Sequence, residues 1–227
     1  MRRRHAALVV LFGLSLGACD NPAPRAVRRA PVPQPYDSTS PGLTSAPGAT
    51  PSRFQWDSAR SIFLAYGQPL RAEKLWTFAG STDGFVALHA EVGPAAGDGL
   101  QVDEQAPDVL VRSPKGLKID GGNRSLILVR IRRLTAGRAW DSTIFYATAT
   151  HGESPDFFAR PILGGNPAVG QTVLLVYDMH RLSAGGDDWK MSKIDQIRLD
   201  LDDGPGGQVV IEQIAIAEDP GGLFGPR

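Results

Sequence analysis

A chain of 227 residues with 24 basic side chains, 24 acidic ones and a single cysteine carries no net charge. That length allows one domain of ordinary size plus extensions, and one thiol excludes an internal disulfide. No basic stripe with interleaved aromatics is present, which argues against nucleic acid as a partner. The neutrality is uneven: seven of the basic residues but only two of the acidic ones precede Phe54, so the remainder carries about −5.

Met1 to Arg4 is basic and Ala6 to Ala18 is apolar, ending in small residues, the pattern of an export leader over 1–18. As a helix this apolar run would be about 20 Å long, short of a bilayer core of roughly 30 Å. A cleaved segment is expected rather than a span. Leu16-Gly17-Ala18-Cys19 resembles the lipobox of bacterial lipoproteins. The resemblance implies cleavage before Cys19 and a diacylglycerol on its thiol, hence a membrane partner. By resemblance to the sorting rule of enteric bacteria, Asp20 implies inner-membrane retention and a periplasmic face. Residues 19–53 are rich in Pro, Ala, Ser, Thr and Arg and poor in large apolar side chains. They cannot bury enough surface to offset chain entropy, so a disordered tether is expected.

Residues 54–227 carry the foldable pattern. Asp57 is placed to cap a short helix in which Ala59, Ile62, Phe63 and Tyr66 share a face before Gly67-Gln68-Pro69. Beyond it, short apolar runs recur between Gly, Pro, Asp and Asn: 75–78, 85–90, 100–102, 109–112, 126–134, 143–150 and 172–179. Their spacing predicts an all-β fold, an antiparallel β-sandwich or jelly roll with its core in 75–218. Asp120-Gly121-Gly122-Asn123 reads as a turn into a strand with Ile127, Val129 and Ile131 on one face and Arg130 and Arg132 on the other. The long connection 152–170 holds Phe157, Phe158, Arg160 and Asn166. Connections of that length are often functional.

The last segment alternates at Ile197, Leu199 and Leu201 against Arg198, Asp200 and Asp202. Gly204-Pro205-Gly206-Gly207 then supplies a reversal. In the following run the apolar phase slips by one residue near Glu212-Gln213, where a bulge would restore the buried face.

The order Trp76-Thr77-Phe78, Asp83-Gly84-Phe85, Phe145-Tyr146, Asp178-Met179, Trp189, Ile194 and Ile197-Arg198-Leu199-Asp200, closed by an Ile-rich strand, resembles the galactose-binding-like jelly rolls found in bacterial carbohydrate-binding modules. The resemblance implies a non-catalytic saccharide-binding domain on a lipid-anchored envelope protein. The alternative is a structural component that docks a protein partner in envelope polysaccharide assembly or secretion. A polysaccharide hydrolase or lyase ranks last. Such domains also occur as non-binding partners, so the fold is implied more firmly than a ligand.

Sugar recognition needs an aromatic face for pyranose C–H groups and planar polar groups for hydroxyls. Tyr146, His151 and Arg160 are expected to line one groove, with Trp140 adding an aromatic. Arg130 and Arg132, if they join it, would favour an acidic saccharide. Trp76, Trp189 and Tyr177 read as core, Tyr177 with its hydroxyl at the rim. His151 with Ser154 and Asp156 is a weak fragment of a nucleophilic triad, since sequence proximity is not geometry. Asp187-Asp188 and Asp202-Asp203 read as solvated turns. No metal ligand set is expected, and no cofactor, with a structural calcium ion left open.

Overall fold

The computed structural model describes residues 53–221. The leader, Cys19 and the tether up to Ser52 lie outside the described residues.

The described chain is all-β apart from one helical turn. Its first part runs β1 (Phe54–Asp57), β2 (Ile62–Ala65), β3 (Gln68–Pro69), β4 (Ala72–Trp76), β5 (Val86–Leu88), β6 (Ala90–Pro94), β7 (Leu100–Glu104), β8 (Leu110–Arg112) and β9 (Ile119–Asp120). It continues with β10 (Leu126–Thr135), β11 (Arg138–Trp140), β12 (Ile144–Thr148), β13 (Phe158–Ala159), β14 (Thr172–Asp178), α1 (Asp188–Met191), β15 (Lys193–Asp200), β16 (Asp202–Gly204) and β17 (Gln208–Ala217). Two antiparallel sheets form the sandwich. The first has the order β14-β10-β17-β7-β6, with β4 beside β7 along β17. The second has the order β13-β12-β15-β8-β5, with β9 beside β8 along β15.

Alternation explains which side chains meet between the sheets. Ile127, Val129 and Ile131 of β10, Leu175 and Tyr177 of β14 and Val209 and Ile211 of β17 pack in one cluster with Ile144 and Tyr146 of β12 and Ile194, Ile197 and Leu199 of β15. Fully burying an aliphatic side chain of this size is worth about 1.5–3 kcal/mol. The slip in β17 is a bulge. Gln213 pairs with Arg130 and Ile211 with Ile131, which leaves Glu212 as the extra residue. Ile211 and Ile214 thereby both reach the core.

Residues 57–66 depart from the expected helix. Asp57 Oδ1 does accept from the backbone N–H groups of Ala59 (3.0 Å) and Arg60 (3.1 Å), as a cap would. Ser61, however, takes φ 52°, which ends any right-handed turn, and β1 pairs with β2 as a hairpin. Phe54, Phe63, Ala65 and Leu70 pack on Leu126, Leu128, Leu174, Val176, Ala215 and Ala217, the outer face of the first sheet. Of the four residues on the expected helical face only Phe63 joins this buried surface; Ala59 and Tyr66 are exposed. The helical turn is instead α1. Its Trp189 is fully buried, donates from Nε1 to the Arg124 carbonyl (2.6 Å) and meets Tyr146 edge to face at 5.0 Å. Trp189→Ala is expected to cost about 3–5 kcal/mol, read as a lowered urea midpoint.

The glycine-rich reversal at 204–207 joins β16 to β17, but β15 and β17 do not pair. It carries the chain from the second sheet to the first. Tyr177 is core, yet its hydroxyl is buried rather than at a rim, donating to the Ser142 carbonyl (2.8 Å).

Candidate functional site

The hairpin covers one end of the first sheet's outer face. On the same face Arg130 and Arg132 are engaged by Glu212, and Arg130 also donates to Gln213 (3.1 Å). The outer face of the second sheet carries a different arrangement. Phe158 stands opposite Phe145, Phe145 opposite Arg198, Arg198 opposite Arg112 and Arg112 opposite Val86. Directly opposed residues in antiparallel strands share a face, so these five form one row across the whole sheet. From Phe158 to Arg112 the row spans three strand spacings, roughly 14 Å.

Phe145 and Phe158 are half-buried, their ring centroids 5.6 Å apart and tilted by 38°. The Arg198 guanidinium carbon lies 4.1 Å from the Phe145 centroid and that of Arg160 6.0 Å from Phe158, both within cation–π range. The result is a platform of two aromatic rings flanked by guanidinium groups.

Glu153, in the connection after β12, closes the other half of the row. Its carboxylate accepts from Arg112 Nε (2.7 Å) and Nη2 (2.7 Å) and from Arg198 Nη1 (3.1 Å). Burial pushes this carboxyl up, but the bonds from the two guanidinium groups outweigh it and hold it below the ordinary glutamate value. Arg198 is also paired in a fork with Asp200 (2.6 and 2.7 Å). Beside the row, where Ala147 opposes Gln196, a shallow open groove of about 750 Å³ is bordered by Arg112, Lys115, Thr148, His151 and Glu153.

The residues expected from sequence fall in different places. His151 borders the groove. Its ring stacks on Phe157 (3.7 Å), its Nε2 lies 2.9 Å from Asp188 Oδ2 and its Nδ1 lies 2.8 Å from the Gly152 carbonyl. Tyr146 does not border it. Its side chain is inward and 0% exposed, and its hydroxyl donates to the same Asp188 oxygen (2.9 Å). Burial and that carboxylate keep the phenol neutral far above the usual range. Tyr146 therefore supports the His151 loop from beneath. Arg160 lies at the aromatic end of the row, its side chain 49% exposed and 3.6 Å from Asp141. Arg130 and Arg132 are on the other sheet and cannot join these residues. Trp140 is half-buried against the core, with the Arg133 guanidinium 4.9 Å from its ring.

The triad fragment does not assemble: Ser154 donates to Asp156 (3.2 Å), whereas His151 is committed to Asp188. Asp202 is no solvated turn. It is buried with Arg133, which donates to it at 2.5 and 3.2 Å, beside a buried Glu104. Among the described residues no group of three or more His, Cys, Asp or Glu is placed to hold a metal ion.

Phe145, Arg198, Arg112 and Glu153 were not singled out from sequence as site residues. Alternation could have placed Phe145 outward, between the inward Ile144 and Tyr146, and Arg198 likewise. Nothing local marks Glu153.

No family model and no curated protein matches the sequence. Several solved structures are similar in architecture. A family 29 carbohydrate-binding module from Piromyces equi, CBM29_1, aligns over 63% of this chain and 89% of its own at 10% identity and a TM-score of 0.42. The CBM22-1–GH10 modules of Clostridium thermocellum xylanase 10B, complexed with xylohexaose, align over 69% of this chain and 30% of that one at 12% identity and a TM-score of 0.49. A module from Clostridium stercorarium, CsCBM6-3, in complex with cellobiose, aligns over 64% of this chain and 94% of its own at 12% identity and a TM-score of 0.39. At such identities and scores the likeness assigns this chain neither a ligand nor a site residue.

Proposed function

We propose that this domain is a non-catalytic saccharide-binding module, presented from a cell envelope by a lipid on Cys19. The observation that carries the reading is the row Phe158–Phe145–Arg198–Arg112 on the outer face of the second sheet. Two half-exposed rings offer a surface for sugar C–H groups, and planar polar side chains beside them can bond hydroxyls. The exposed large apolar residues among those described are spread over separate elements: Tyr66 after β2, Leu75 on β4, Val86 and Leu88 on β5, Ile162, Leu163 and Val169 in the long connection and Met191 at the end of α1. That distribution favours a polar, ring-bearing face over an apolar docking patch.

The anchor rests on the leader, on Cys19 at the position a lipobox requires, and on the tether behind it; Asp20 favours the inner membrane. Phe54, where the tether ends, packs against the first sheet, so the chain enters on the side opposite the proposed face.

Calorimetry of the protein with xylohexaose, cellohexaose and an oligogalacturonide tests the binding. At least one is expected to bind, and Phe145→Ala/Phe158→Ala is expected to weaken it by tenfold or more, since each ring contact is worth about 0.5–1.5 kcal/mol. Equal affinity in wild type and variant would remove the rings from the site. For the anchor, metabolic labelling with a fatty acid should mark the protein and fail with Cys19→Ala.

A further inference from the structure

Glu153 occupies the position that a ligand carboxylate would take. Its two oxygens meet Arg112 side-on in a two-point pairing and receive a third bond from Arg198. It reaches them from the connection after β12, whose backbone is fixed independently. The His151 N–H and the Thr150 N–H both donate to Thr148 Oγ1, and the His151 ring is held by Asp188. Release of the carboxylate therefore needs only a side-chain rotation, with the loop left in place.

The charges make that rotation consequential. Arg198 keeps Asp200 as its partner when Glu153 leaves, whereas Arg112 loses all three of its bonds to that carboxylate. Arg112 and the exposed Lys115 then stand as two cations bordering one groove, whose other carboxylate, Asp195, accepts from the Gly116 N–H (3.0 Å), and Arg160 waits at the far end of the row beyond the two rings. Guanidinium groups spaced across a platform of rings suit a saccharide that carries a carboxylate on its ring, because a planar fork pairs with a planar carboxylate at two points.

Resting on the saccharide-binding reading above, we infer that the face selects acidic, uronate-containing saccharides, and that Glu153 is a built-in competitor that such a ligand's carboxylate must displace from Arg112. A neutral sugar gains less, since its hydroxyls carry no charge to set against the guanidinium. The device sets a threshold, since a ligand must offer enough ring contact on Phe145 and Phe158 to hold its carboxylate against an intramolecular rival.

The test compares wild type, Glu153→Gln and Glu153→Gln/Arg112→Gln for binding to an oligogalacturonide and to xylohexaose, with thermal unfolding confirming that each variant is folded. Glu153→Gln is expected to tighten the oligogalacturonide by about tenfold, the scale of one charge-assisted pairing. Xylohexaose affinity should change far less, and the second substitution should cancel the gain. An unchanged or weaker affinity for the acidic ligand in folded Glu153→Gln would overturn the inference, as would equal tightening of both ligands. Should xylohexaose bind wild type while the oligogalacturonide gains nothing, the selectivity fails and saccharide binding stands; silence of both ligands toward all three proteins removes both readings.

Discussion

Arg133→Met is expected to destabilise the domain by about 3–5 kcal/mol, the cost of breaking a buried ion pair from one side. Arg133 is only 2% exposed and provides the cation for two buried carboxylates. It donates to Asp202 at 2.5 and 3.2 Å, stands 3.9 Å from Glu104 and lies over the Trp140 ring. The chain is shaped to this cluster. A Cβ on Gly137 would lie 1.6 Å from Asp202 Oδ2, and one on Gly207 2.0 Å from Glu104 Oε2. Without the guanidinium, the Asp202 charge would remain buried beside Glu104 with nothing to balance it. Against a total stability of about 5–15 kcal/mol, that loss should leave a large unfolded fraction at 37 °C. Removing the charges together, as Arg133→Met/Glu104→Gln/Asp202→Asn, should recover most of it. Urea midpoints at pH 7 check both statements, and a single-variant loss below about 1 kcal/mol would show the cluster to be solvated, as surface pairs are.

Glu104→Gln should abolish a fall in stability that wild type shows as pH rises. Arg133 is nearer to Asp202, and no hydrogen bond from any described donor reaches the Glu104 oxygens. Burial first, then the neighbouring Asp202, raises this carboxyl from 4.5 to about 8. An acid whose folded pKa lies above its unfolded value binds a proton that the unfolded chain has already released. Stability contributed by that proton is fully present below pH 4.5 and is lost progressively up to about pH 8. At about 1.4 kcal/mol per pH unit, the ceiling is on the order of 5 kcal/mol. Glutamine keeps the shape and stays neutral. The variant should therefore match wild type near pH 5 and exceed it near pH 8.5, with urea midpoints at the two values as the readout. Parallel profiles for the two proteins would mean that Glu104 is already ionised at pH 5.

Much of the fold is legible in the sequence because it depends on local period. The bulge at Glu212 follows from the misfit between Val209, Ile211 and Ile214, Ile216, and the strands at 100–104, 110–112, 126–135 and 172–178 follow from short apolar runs set between turn residues. Alternation carries further than its apolar members. Arg133 continues the inward series of Ile127, Val129 and Ile131, and Glu104 that of Leu100 and Val102, so the buried charge cluster is written in the pattern but hidden by residue type. At 57–66 the period misleads: Ala59, Ile62, Phe63 and Tyr66 fit one helix face, but of these only Phe63 packs on the first sheet, where the pairing of β1 with β2 sets it beside Phe54 and Ala65.

The site is less legible because it depends on which strands are neighbours. Phe158, Phe145, Arg198 and Arg112 come from four strands far apart in sequence, and their row exists only through the order β13-β12-β15-β8. Arg130 and Arg132, close to Tyr146 along the chain, belong to the opposite sheet. His151 borders the groove while Tyr146, five residues earlier, faces the core, because Tyr146 follows the inward register of β12 and His151 lies in the connection beyond it; the two side chains share Asp188.

Amide chemical-shift mapping of isotopically labelled protein, titrated with the oligogalacturonide and with xylohexaose, reports most directly where a saccharide sits. The expected result is shifts concentrated at Arg112, Phe145, Glu153, Phe158 and Arg198, with β10 and β14 quiet. Shifts centred on Arg130 and Arg132 of the opposite sheet, or none with either sugar, would contradict the assignment of this face.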